Sequence, residues 1–267
     1  MFIESNAHLP MGLAMLQDVM DVVHGPGNMT GLVKAILRWS HFVAGIAWIG
    51  MLYFFNLVNV PLQKELDADT KKKVNPGLLS RALWYFRWGA VVTVLAGLTY
   101  YAMYILAVEA KGAGVGTWST LGIWLLIVLV TYAILYALYN VPALTKDGRI
   151  LAVVIAIVVL IMAVVIVWLL GNSGGAPDAA YNRTYLGNKS ISIGVGGGLG
   201  IIMLLNVWGI IWRVQKRAIA AMQGNGTAPA PEEVRKAFLA SRTNAWLSLP
   251  MLFLMGTSHG DWVLFGK

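Results

Sequence analysis

The sequence predicts an all-α integral membrane protein, a bundle of about six transmembrane helices with both termini on the outer, periplasmic side. Three observations carry this. Hydrophobic residues make up 58% of the 267 residues and charged residues 12%, about half the charge of an ordinary soluble domain, and the mean hydropathy is +0.69. Six stretches are long enough to cross a hydrocarbon core, which takes ~20 residues as helix. Lys and Arg gather in alternate connections, the asymmetry that records membrane topology.

The elements follow in order. Residues 1–30 precede the first span, and Leu13, Leu16, Met20 and Val23 share one helical face. That pattern suits an amphipathic helix on the outer surface, ended by Gly25-Pro26-Gly27, or equally a tail packed on a partner subunit. The transmembrane domain then occupies 31–267. Its first span, 33–61, is followed by Lys64, Lys71, Lys72, Lys73 and Arg81, and its second, 82–108, by Lys111 alone. The third, 118–144, leads to Lys146 and Arg149, and the fourth, 150–170, to Arg183 and Lys189. The fifth, 190–213, leads into a cytoplasmic linker at about 214–242 with Lys216, Arg217, Arg235, Lys236 and Arg242; the sixth is 243–264. The first, third and fifth connections are the most basic, so they face the cytoplasm. Asn59-Val60-Pro61 and Asn140-Val141-Pro142 close two spans, and Asn206-Val207 sits near the inner end of a third. This echo reads either as hairpin duplication or as a common way to end a helix with proline.

Composition also excludes. Without cysteine there is no disulfide, no thiolate metal site and no covalent c-type haem. The net charge of +8 is explained by topology, so no nucleic-acid partner is expected. The central parts of the spans contain no Asp, Glu, Lys or Arg. Coupled transporters and proton relays need such groups at mid-membrane depth, so transport is disfavoured.

That leaves His41 and His259. His41 lies ~12 Å into the first span, and His259 ~24 Å along the last, at the helical rise per residue. In a ~30 Å core both fall in the outer third. Neutral imidazoles are good axial ligands for haem iron, so the pair points to haem b with His41 and His259 as its metal ligands. Arg38, one turn outward of His41, suits a haem propionate. Asp261 suits an orienting role toward His259. The alternative is that both histidines only hydrogen-bond between helices. Either His8 or His24 in the N-terminal segment is a replacement ligand if one of the pair is not. Gly194/Gly198 and Gly196/Gly200 form two overlapping G-x-x-x-G pairs at the start of the fifth span. They read as close helix packing or as room for a flat porphyrin beside Gly196 and Gly200.

The run Leu37-Arg38-Trp39-Ser40-His41-Phe42-Val43-Ala44-Gly45-Ile46-Ala47-Trp48-Ile49-Gly50 resembles the opening of the urate oxidase N-terminal membrane domain family. Arg81 to Ala90, Ser241 to Asn244 and Leu249 to Phe253, running on to Ser258-His259, resemble it further. That family is the membrane part of the bacterial cytochrome c-linked urate hydroxylase. The resemblance implies a multi-pass protein of the bacterial inner membrane. Urate-type members carry a C-terminal cytochrome c domain. Its absence here implies a separate cytochrome c, or another redox subunit, at the outer face. The His41, Trp48 and Gly50 pattern is also similar to one helix of a membrane protoporphyrinogen oxidase family and of the copper-resistance D family. That favours a cofactor near His41 and Trp48.

Residues and resemblance together lead to a membrane-embedded haem b subunit. It is expected to pass electrons between a partner dehydrogenase or quinone and an outer-face acceptor such as cytochrome c. One alternative is a haem-dependent hydroxylase or oxidase of urate or a related small molecule. Another is a non-redox structural anchor of a complex.

Overall fold

The structure, a computed structural model, describes residues 27–172, 186–259 and 263–265. The N-terminal segment 1–26, with His8 and His24, and Asp261 lie outside the described residues. The chain divides into a unit ending at Ile36 and one from Leu37 onward. Of the first unit, residues 27–36 are described, and there Asn28 Oδ1 accepts from the Gly31 N–H at 2.8 Å as a helix begins. The packing and cavities below concern the second unit.

Every regular element among the described residues is helical: α1 (Met29–Glu65), α2 (Ala68–Gly112), α3 (Thr117–Leu138), α4 (Pro142–Lys146), α5 (Gly148–Asn172), α6 (Asn188–Met222) and α7 (Pro231–Thr257). Five of them, α1, α2, α3, α5 and α6, are long and apolar enough to cross a membrane. The sixth expected span lies within α7, which is not among these five by length and composition. Asn244 and Ser248 of α7 are fully buried, whereas Trp246, Leu249, Leu252 and Phe253 face outward. A polar seam lowers the mean hydropathy of α7 although its outward face is apolar.

The helices run further than hydropathy suggests. α2 begins at Ala68, because Asp67 caps it, its Oδ1 accepting from the N–H groups of Asp69 and Thr70 at 2.9 Å each. Such a cap satisfies donors that have no intrahelical partner. Likewise most of the connection expected over 214–242 is helical, since α6 continues to Met222 and α7 starts at Pro231. The turn between them uses Gly224 and Gly226, with φ of 78° and 102°, a backbone region that suits glycine.

Proline does not end the first span. α1 carries a π-helical turn over Phe54–Asn59, in which the Val60 N–H reaches back to the Phe55 carbonyl, and the helix continues through Pro61. The wider turn accommodates the residue that lacks an N–H. Pro142, by contrast, opens the short α4. Asn206 stands at another π turn, Val207–Ile211. The asparagine echo thus marks π turns at Asn59 and Asn206 and a helix break at Asn140.

α6 is the central helix. Of its apolar window 67% is buried, against 17% to 28% in the other four spans. Glycines make this possible. A Cβ on Gly194 would lie 2.7 Å from Leu170, and one on Gly198 3.1 Å from Val128, so this row meets α5 and α3. A Cβ on Gly196 would lie 3.3 Å from Leu254 and Met255 and 3.4 Å from the Met251 carbonyl, so this residue meets α7. Polar contacts pin the same seam. Asn206 Nδ2 donates to Asn244 Oδ1, and Asn244 Nδ2 donates to the Met203 carbonyl, both at 2.9 Å. Gly196→Ile is expected to wedge α7 from α6 and destabilise the protein by about 1–3 kcal/mol, the usual cost of overpacking. Thermal unfolding of the purified protein in detergent checks it.

Candidate functional site

α1 places Arg38, His41, Gly45 and Trp48 along one side of a cavity of about 570 Å³. α2 adds Thr93, Gly97 and Tyr101, α3 adds Trp124, and α6 adds Ile193, Gly197 and Gly200. Met251 and Met255 of α7 and then Ser258 and His259 complete the wall. The two histidines therefore border one space, although 218 positions of chain separate them (259 − 41).

Their hydrogen bonds assign their tautomers. His41 Nδ1 lies 2.8 Å from the Thr93 carbonyl oxygen. A carbonyl only accepts, so Nδ1 carries a proton, and in the neutral ring Nε2 then holds the lone pair. Ser258 Oγ donates its one hydrogen to the Met255 carbonyl at 2.7 Å. It must then accept from His259 Nδ1, 2.6 Å away. Both rings are thus held through Nδ1–H with Nε2 free, the arrangement of a metal-ligating histidine whose outer nitrogen fixes its orientation. His41 is half-buried and His259 exposed.

The ring of His41 fits only because residue 97 is glycine. A Cβ there would stand 2.6 Å from Nδ1 and 2.7 Å from Cε1. Sequence reasoning missed Gly97 and Thr93; the only signal was a small residue within the second span. Asn188 holds the chain on both sides of His259. Its Nδ2 donates to the Thr257 carbonyl at 3.2 Å, and its Oδ1 accepts from the Leu264 and Phe265 N–H groups at 3.0 Å each.

The walls divide into spent and unspent polar groups. Tyr101 Oη donates to the Ser190 carbonyl at 3.1 Å, and Trp124 Nε1 to the Gly194 carbonyl at 2.9 Å. Their rings lie 5.5 Å apart, centroid to centroid. These two fix the wall against the start of α6. Trp48 differs: it is 1% exposed, and its Nε1–H has no partner among the described residues. A buried unmet donor costs about 1–3 kcal/mol, and an acceptor bound in the cavity would relieve that cost. Exposed Arg38 borders the cavity. Sequence reasoning had chosen this cation.

The expected site residues sort as follows. His41, His259, Arg38, Trp48 and Gly200 all border the cavity, and Gly196 does not. Gly196 packs on α7 while its neighbour Gly197 opens toward Trp124. One position along a helix is a turn of about 100°, so adjacent glycines serve different neighbours. Among the described residues no group of three or more His, Cys, Asp and Glu forms a metal cluster.

A family model described as urate oxidase N-terminal matches residues 66–266. The match includes His259 and starts after His41. No curated protein and no solved structure matches the chain.

Proposed function

The chain belongs to the urate oxidase N-terminal family, and on that premise we propose that this multi-pass membrane component holds a haem b between His41 and His259. It would carry electrons between a partner dehydrogenase or quinone and a separate outer-face acceptor such as cytochrome c. The observation that carries the reading is the pair of imidazoles on one cavity, each with Nδ1 engaged and Nε2 free. Haem supplies one-electron chemistry when bound, with its potential tuned by axial ligands and burial.

The chain's own residues do the rest. His41 and His259 would ligate iron through Nε2. The carbonyl of Thr93 and the hydroxyl of Ser258 orient them. Arg38 would pair with a propionate, where guanidinium and carboxylate form charge-assisted bonds. Apolar walls such as Ile193, Met251 and Met255 keep the macrocycle's surroundings dry. Gly45, Gly197 and Gly200 leave side-chain-free wall where a flat ring needs it. On this reading the bacterial inner membrane is the location, with the histidine end of the bundle and both termini outward, as the basic connections imply.

One observation favours a second reading, a haem-dependent hydroxylase or oxidase of urate or a related small molecule. The unpartnered Trp48 N–H is a donor that a small carbonyl-bearing substrate would accept from. Carbon monoxide added to the reduced purified protein separates the two. An unshifted visible spectrum is expected for the electron carrier, because both axial positions are filled. A shifted Soret band establishes an open position and favours the oxidase. A colourless protein that regains no haem on reconstitution sinks both.

A further inference from the structure

A second cavity, of about 720 Å³, lies at the opposite, basic end of the bundle, between the end of α3, the last turns of α6 and the first turns of α7. Buried Tyr139, Ile210 and Val214 form its inner wall. Arg213, Lys216, Arg217 and Lys236 border it, with Glu232 and Glu233 as its acids.

The charges do not cancel. The one ion pair among the described residues joins Arg217 to Glu233 at 2.5 Å. That bond from Arg217 holds the Glu233 carboxyl below its usual range, so the pair stays ionised and its charges are spent on each other. Lys236 makes its hydrogen bond and its ring contact with neutral groups. Its Nζ donates to Asn140 Oδ1 at 2.7 Å and lies 4.2 Å from the centre of the Tyr136 ring. These contacts aim the ammonium without neutralising it. Arg213 and Lys216 make no ion pair among the described residues.

An apolar and aromatic inner wall with uncompensated cations beside it fits an amphipathic anion. The cavity also adjoins α3 and α6, both apolar enough to span a membrane, where such an anion is a lipid. Basic pockets between spanning helices recognise phosphate-bearing head groups in this way. We propose that this cavity binds the phosphate of an anionic phospholipid. Arg213, Lys216 and Lys236 meet the phosphate, and Tyr136, Ile210 and Val214 lie along the glycerol and first acyl carbons. The site is independent of the histidine cavity and does not rest on the haem reading.

The test uses the full chain in nanodiscs of phosphatidylcholine alone or mixed equally with phosphatidylglycerol. Native mass spectrometry after gentle extraction reads the lipid retained. Selective retention of phosphatidylglycerol is expected. Arg213→Gln with Lys216→Gln should lower that preference about fivefold per charge removed. Equal retention of both lipids by the unaltered protein overturns the proposal, whether or not the double variant folds. So does full preference in a folded double variant. Inorganic phosphate and ATP, added to the phosphatidylcholine sample, form the second arm. Saturable binding of either without phosphatidylglycerol selectivity assigns the cavity to a soluble phosphate compound and overturns the lipid source.

Discussion

His41→Ala is expected to abolish most of the visible haem absorption of the purified protein while leaving the protein folded. The magnitudes separate the two outcomes. Removing the imidazole takes away one hydrogen bond, to the Thr93 carbonyl at 2.8 Å, worth about 0.5–1.5 kcal/mol net. The ring is half-buried, so its loss leaves little unfilled core. A membrane bundle held by five apolar spans withstands that, and thermal unfolding should shift by only a few degrees. On the haem reading, losing an iron ligand would be a far larger loss for the cofactor. His259→Ala should behave alike, with Asn188 still holding the chain around position 259 through Thr257, Leu264 and Phe265. Residual haem in either variant should bind carbon monoxide, because one axial position is open, and added imidazole should restore the unligated side. Unchanged spectra in both variants would refute the ligand assignment. Unfolding of both would instead show that the rings hold the bundle.

Gly97→Val is expected to mimic loss of His41 without touching the histidine. The new Cβ would stand 2.6 Å from Nδ1, nearly 1 Å inside ordinary van der Waals contact, where carbon atoms settle at about 3.5–4.0 Å. The imidazole must turn away, which breaks its bond to Thr93 and misdirects Nε2. Haem content should fall several-fold, and the axial-ligand signature in the electron paramagnetic resonance spectrum should change. Gly122→Ala is the control. A Cβ there meets nothing within 4 Å, and replacing a helical glycine usually stabilises by about 0.5–1 kcal/mol, so haem content should stay at the unaltered level. Equal spectra for Gly97→Val and the unaltered protein would remove His41 from the site.

Much of this site was legible in the chain because depth is a one-dimensional quantity. Counting residues from the span ends put His41 and His259 near one level, and the structure puts both on one cavity. Arg38 was picked as one turn from His41, Gly200 from its G-x-x-x-G pair and Trp48 from a resembling helix pattern, and all three border that cavity. Gly97 was not, because nothing in the second span says which of its turns meets the first. Gly196 and Gly197 show the limit at its sharpest. They are neighbours in sequence, yet one packs on Met255 and the other faces Trp124. The pairing Asn206–Asn244 and the unpartnered N–H of Trp48 were hidden likewise, since a hydrogen bond between helices depends on both partners' rotations.

The sequence by itself determined the helical membrane architecture and singled out two histidines as candidate ligands. Those follow from composition, from runs of apolar residues and from side-chain chemistry, all of which are properties of single segments. The tertiary structure alone decided that α6 stands at the centre, that α7 turns a polar seam inward, and that Thr93, Gly97, Asn188 and Ser258 seat the two imidazoles. These depend on which helices are neighbours and how each is rotated about its axis. That choice is made collectively, by the packing of all the helices against one another, and no segment carries it alone.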